Sequence, residues 1–110
     1  MKPLRIEAAA ERELEAILDY IAANGSPQNA VRFVERIRDV IESIPEMPRA
    51  GMIRDDLLAG MRQRTVGRYS IFYEETEEAI VILHIVHGMR HLPAIFGLES
   101  VHKIENGSEE

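Results

Sequence analysis

Apolar positions along the chain change their period twice, and each change marks a new kind of element. Leu4 and Ile6 alternate with polar neighbours in Lys2 to Ile6, a period of two that predicts a short first strand. From Ala8 to Ala23 the period becomes helical. Leu14, Ile17, Leu18 and Ile21 fall at i, i+3, i+4 and i+7, with Glu11, Glu13, Glu15 and Asp19 mostly off that stripe. Asn24-Gly25 stops this helix, because both residues tolerate the left-handed cap conformation. Ser26-Pro27 opens a second helix with a favoured N-cap and a proline that loses no hydrogen bond at the first helical position. Its stripe runs through Ala30, Phe33, Val34, Ile37, Val40, Ile41 and Ile44 until Pro45 and Pro48 end it. So short a link between two amphipathic helices predicts an antiparallel hairpin.

Residues 46 to 59 read as a loop with Pro48, Gly51 and an Asp55-Asp56 pair. β-branched and aromatic residues then concentrate in three runs: Met61 to Val66, Tyr69 to Glu74, and Ala79 to His87. Gly67-Arg68 separates the first two and Glu75 to Glu78 the last two, links short enough to force an antiparallel meander. Tyr69, Ile71 and Tyr73 share one face of their strand, and Ser70, Phe72 and Glu74 the other. Strict alternation in the last strand puts Ile80 and Ile82 on one face and Val81, Leu83 and Ile85 on the other, as in a central strand covered on both sides. Residues 91 to 98 suggest a helical turn docked on the sheet edge, and residues 99–110 a polar, frayed tail. The fold class is α+β: an N-terminal strand and a helical hairpin packed on an antiparallel meander, in one domain spanning residues 1–98.

Composition removes several function classes. The sequence has 110 residues and no cysteine, which excludes disulfides, thiolate metal sites and a Cys nucleophile. No signal-peptide core and no run of about 20 apolar residues occurs, so a cytoplasmic protein with no membrane contact is expected. The net charge of −6 argues against a general nucleic-acid binder. That charge is unevenly spread. Residues 1–48 carry six basic and nine acidic side chains, residues 49–73 five Arg and two Asp, and residues 74–110 two basic and eight acidic. The arginine segment could face an acidic protein or a phosphate backbone.

Candidate chemistry is sparse. Of the four histidines, His84, His87, His91 and His102, the first two point to opposite faces of one strand; His87 and His91 could share an ion, but no carboxylate follows at metal spacing, so no metal and no cofactor is expected. One histidine is expected to be hydrogen-bonded in the core. No nucleophile elbow or glycine-rich phosphate loop is present. Arg62 and Arg64 share a strand face at i, i+2, with Arg68 in the following turn and Arg90 after the last strand.

The order of these parts resembles the ParE/RelE superfamily of type II toxins, more closely its ParE branch. The resemblance rests on Ala30 and Phe33 in the second helix, Pro48 to Gly51 in the loop, Gly60-Met61-Arg62, Tyr69-Ser70-Ile71-Phe72-Tyr73, the hydrophobic strand, and His87-Gly88-Met89-Arg90. It implies a ParD-like antitoxin partner, bound in a toxin–antitoxin hetero-oligomer through a groove between helices and sheet, with Leu14, Ile17, Phe33, Ile37 and Tyr73 at that contact. It also implies DNA gyrase as target, met by Arg62, Arg64, Arg68, Arg90, His91 and Phe96. The nuclease branch of the superfamily places an arginine where this chain has Ser70, and a tyrosine where it has Phe96. Arg90 matches that set, and a nuclease alternative would rest on Arg90, Arg64 and His87. Strand-breaking by 2′-hydroxyl attack needs a proton acceptor, a proton donor and cations around the phosphate, which a serine and a phenylalanine supply poorly. The sequence therefore favours a toxin that binds its target; the alternatives are a RelE-like ribosome-dependent mRNA endonuclease and a degenerate, non-toxic interaction module.

Overall fold

The computed structural model describes residues 1–88 and 92–97. The residues run through β1 (Leu4–Ile6), α1 (Ala8–Asn24), α2 (Pro27–Ser43), a 3₁₀ turn (Ile44–Glu46), β2 (Met52–Ile53), β3 (Met61–Val66), β4 (Tyr69–Glu75), β5 (Ile80–His87) and α3 (Leu92–Ile95). Arg90, His91 and the polar tail lie outside the described residues.

The five strands form one sheet in the order β1-β5-β4-β3-β2. The meander β3-β4-β5 is antiparallel, as its short links require, while β1 pairs with β5 in parallel, Leu4 opposite Ile80 and Ile6 opposite Ile82. The sheet is therefore mixed. Local links say nothing about that parallel pair, because the whole hairpin and meander separate its two strands. β2 was also invisible in the loop: two residues pair with β3, Met52 opposite Gln63 and Ile53 opposite Arg62.

Ser26 caps α2, its hydroxyl accepting from the Asn29 amide at 3.1 Å, with Pro27 at the first helical position. Arg38 of α2 reaches Glu11 of α1 at 3.1 Å and holds the two helices side by side. The hairpin lies on one face of the sheet. Leu14, Ile17, Val34, Ile37 and Ile41 meet Ile71, Tyr73, Ile80, Ile82 and Ile85 there, and together they form the main core. Each such side chain is worth about 1.5–3 kcal/mol when fully buried, so this layer dominates folding.

The position of Ile85 corrects strict alternation. Phe72 stands opposite His84 but Tyr73 stands opposite Ile82, so Leu83 is an extra residue, a β-bulge in β5. The bulge shifts the pleat by one position. Ile85 joins Ile80 and Ile82 beneath the helices, while Leu83 and Val86 serve a smaller core on the other face with Leu57, Met61 and Phe72. Leu92, Ile95 and Phe96 pack on that second core. The C-terminal turn thus covers the open face of the sheet and not its edge, because Phe72 and Met61 leave apolar area there.

Candidate functional site

Three places concentrate unusual side chains. The first is the Pro48–Gly51 loop. The Tyr73 hydroxyl, carried on central β4, donates to Pro48 O at 2.8 Å and accepts from Gly51 N at 3.1 Å. Arg62, the neighbour of Tyr73 on β3, donates one guanidinium nitrogen to Arg49 O and Gly51 O at 3.2 and 2.9 Å. A Cβ on Gly51 would fall 2.3 Å from the Tyr73 hydroxyl oxygen, so only glycine lets the loop approach this closely. Burial pushes the Tyr73 phenol above its usual range, against the opposing pull of the Gly51 amide, Arg62 and Arg64. Arg62 is therefore a structural clamp; it makes no ion pair among the described residues, and its charge adds to the hydrogen bond from Lys2 that holds down the Glu75 carboxyl. Arg64 lies two residues on, half-buried, without an ion pair among the described residues.

The second place is an aromatic groove where the hairpin turn meets the β3–β4 turn. A cavity of about 660 Å³ is lined by Tyr20, Ile21, Phe33, Gly67, Arg68, Tyr69 and His87. Tyr69 sits between Phe33 and His87, with ring centroids 5.6 and 5.3 Å away. Arg36 lies over the Phe33 ring at 5.7 Å, and burial, then the nearness of Tyr20, raises the Tyr69 pKa. Tyr20 is 62% exposed. The sequence reading missed Tyr20; an aromatic ring at i+3 from Ile17, on the margin of the α1 stripe, was the available signal.

The third is the second-core face. Arg54 makes a forked pair with Asp56 at 3.0 and 2.9 Å, touches Gln63 at 2.6 Å, and lies 5.9 Å from the Phe72 ring centre. That pairing holds the Asp56 carboxyl below its ordinary range. Gln63 in turn donates to the hydroxyl of buried Ser70 at 2.7 Å. Phe96 stacks edge-on against Phe72 and His84, at 5.3 and 5.1 Å. His84 bonds through Nδ1 to Glu13 of α1 at 3.1 Å, and the same carboxylate accepts from Ile85 N at 2.9 Å. β1 stops opposite Ile82, so Glu13 caps a strand amide that has no neighbouring strand.

These placements redistribute the residues singled out in the sequence. Leu14, Ile17, Ile37 and Tyr73 are enclosed in the main core, where their work is to hold hairpin to sheet. Phe33 borders the aromatic groove, and Ile17 also lines a smaller cavity with Tyr20, Tyr69 and His87. Arg68 is exposed at the groove, Arg62 and Arg64 lie on the helix-side face toward the far edge of the sheet, and Phe96 is docked on the opposite face. Arg64 stands in the row Arg64–Ile71–Ile85 and His87 in the row Val66–Tyr69–His87. Two strand spacings and two residues separate them, on the order of 12 Å. No group of three His, Cys, Asp or Glu side chains that could hold a metal exists among the described residues. No helix among them is long and apolar enough to cross a membrane.

Comparison with known proteins agrees with this architecture. The profile of the ParE toxin of the parDE type II toxin-antitoxin system matches residues 4–92. Toxin ParE3 of Caulobacter vibrioides is 29% identical over 85 residues, covering 77% of this chain and 85% of that protein. Toxin ParE1 of the same organism is 27% identical over 97 residues, covering 88% of this chain and all of that protein. A solved structure of a chromosomal ParDE toxin-antitoxin system from P. aeruginosa superposes with a TM-score of 0.71, over 79% of this chain and 96% of that one, at 24% identity. With a profile match running from β1 into the C-terminal turn, the chain belongs to the ParE toxin family of type II toxin-antitoxin systems.

Proposed function

We propose that this toxin acts by binding DNA gyrase, without cutting a nucleic acid, and is silenced by a ParD-like antitoxin that covers the aromatic groove. One observation carries the choice of binding over cleavage. The two positions where the nuclease branch would place an arginine and a tyrosine are used for packing: Ser70 is buried against Gln63, and Phe96 lies on Phe72 and His84.

The antitoxin reading draws on exposure. Phe33, Tyr69, His87 and Tyr20 line an open groove bordered by Arg68, and a recessed aromatic surface with basic margins suits an apolar segment with acidic flanks. A toxin–antitoxin hetero-oligomer follows from that contact.

The test is a gyrase supercoiling assay beside primer extension on ribosome-bound message. Loss of supercoiling with intact transcripts is expected. Cleaved transcripts that become intact in Arg90→Ala would refute the proposal. Phe33→Glu is expected to weaken the complex with antitoxin at least tenfold.

A further inference from the structure

β2 ends the sheet on the side away from β1. It pairs with β3 through Met52 and Ile53, and no strand among the described residues pairs with its other side. Arg54 donates its amide to Met61 O at 2.8 Å. Alternation along an antiparallel pair then turns the Ile53 amide and carbonyl away from β3, into solvent. Proteins usually blunt such an edge by keeping the strand very short, as here, or with lysine, proline or a covering loop. This one carries two adjacent apolar side chains, Met52 at 59% and Ile53 at 58% exposure, with Met47 at 66% close by in sequence.

The charge beside this edge is predominantly basic, with Glu75 near Arg49 and Arg62, and Asp56 paired to Arg54, as the acids. Ile53 stands opposite Arg62 and so shares its face, with Arg64 two positions along β3. Arg62 spends its hydrogen bonds on carbonyl oxygens, and Arg64 has no ion pair among the described residues. Arg49 is 81% exposed and meets Glu75 only at 3.8 Å. Residues 49–73 hold five Arg against two Asp in a chain of net charge −6.

We propose that the β2 edge takes up an extended, acidic segment of the target protein as an added strand. The Ile53 amide and carbonyl supply the main-chain bonds, Met52 and Ile53 supply apolar contact on the two faces, and Arg49, Arg62 and Arg64 meet the carboxylates. This rests on the reading that the toxin works by binding gyrase, and it adds where and by what chemistry. The aromatic groove is bounded by α1, α2, the β3–β4 turn and the end of β5, whereas β2 pairs near the start of β3, away from that turn. Target and antitoxin therefore have separate docking surfaces.

The experiment measures binding of the full chain to purified gyrase holoenzyme by biolayer interferometry, with thermal melting to verify folding. Wild type binds; Ile53→Glu and Arg64→Glu each bind at least tenfold more weakly, and Ile53→Val stays within threefold. Should Ile53→Glu fail to fold, Ile53→Thr reads the same contact and loses at least threefold. A folded Ile53→Glu that binds as wild type overturns the β2 proposal and leaves the gyrase reading standing. Wild type without gyrase binding removes both. Light scattering that shows β2 closing a dimer of this chain, with gyrase binding untouched by Ile53→Glu, also overturns it.

Discussion

Removing one oxygen atom from Tyr73 is the sharpest perturbation of this fold. Tyr73→Phe keeps the buried ring between hairpin and sheet and deletes only the hydroxyl. That hydroxyl satisfies Pro48 O at 2.8 Å and Gly51 N at 3.1 Å, two backbone groups of a loop with no strand partner of its own. A lost hydrogen bond that leaves a buried group unpaired costs about 1–3 kcal/mol. The two bonds share one donor–acceptor oxygen and the loop can relax partly toward water, so the expected loss is about 2 kcal/mol. For a domain of this size that lowers the Tm by roughly 10 °C. Chemical denaturation with an unchanged m value would confirm that stability alone has moved. Gly51→Ala attacks the same contact from the other side, because its Cβ would lie 2.3 Å from the hydroxyl oxygen but 3.0 Å from the nearest ring carbons. The double variant Gly51→Ala/Tyr73→Phe is therefore expected to cost less than the sum of its parts. A loss under about 0.5 kcal/mol for Tyr73→Phe, or strict additivity, would refute the clamp.

Other predictions follow from the same geometry. Burial raises the Tyr73 and Tyr69 phenols above their unfolded values, so their contribution is complete below the ordinary tyrosine range and is lost as pH climbs through the raised folded values. Alkaline unfolding above about pH 10, tracked by tyrosinate absorbance, checks this. The Glu75 carboxyl is held down first by its hydrogen bond from Lys2, at 3.0 Å, so its contribution is present above the ordinary carboxylate range and fades as pH falls. Lys2→Ala should flatten that acid limb of the stability curve. Glu13→Ala strands the Ile85 amide and frees His84, and about 1 kcal/mol of stability should go with it, with faster exchange at Ile85 N by NMR.

The shared hydroxyl also explains a motif that is opaque as sequence. Pro48 and Gly51 were readable as loop residues, and Tyr73 as one face of a strand, yet nothing in the spacing of 22 residues announces that Tyr73 binds the loop. Likewise Arg62 and Arg64 were legible as neighbours on one strand face. Only the assembled loop shows Arg62 held by two carbonyls, while Arg64 makes no ion pair among the described residues.

Local pattern by itself fixed a great deal here. Helical and strand periods, the Ser26-Pro27 start and the Gly67-Arg68 link determined both helices, the hairpin and the three-stranded meander within a residue or two, because each depends on neighbours in the chain. Tertiary structure decided the rest. The parallel partner of β5, the two-residue β2, the bulge that moves Ile85 beneath the helices, and the face taken by α3 all depend on which surfaces meet across long stretches of chain. The aromatic groove belongs to that second group. Tyr20, Phe33, Tyr69 and His87 stand on four different elements, and no periodicity relates them until the hairpin closes on the sheet.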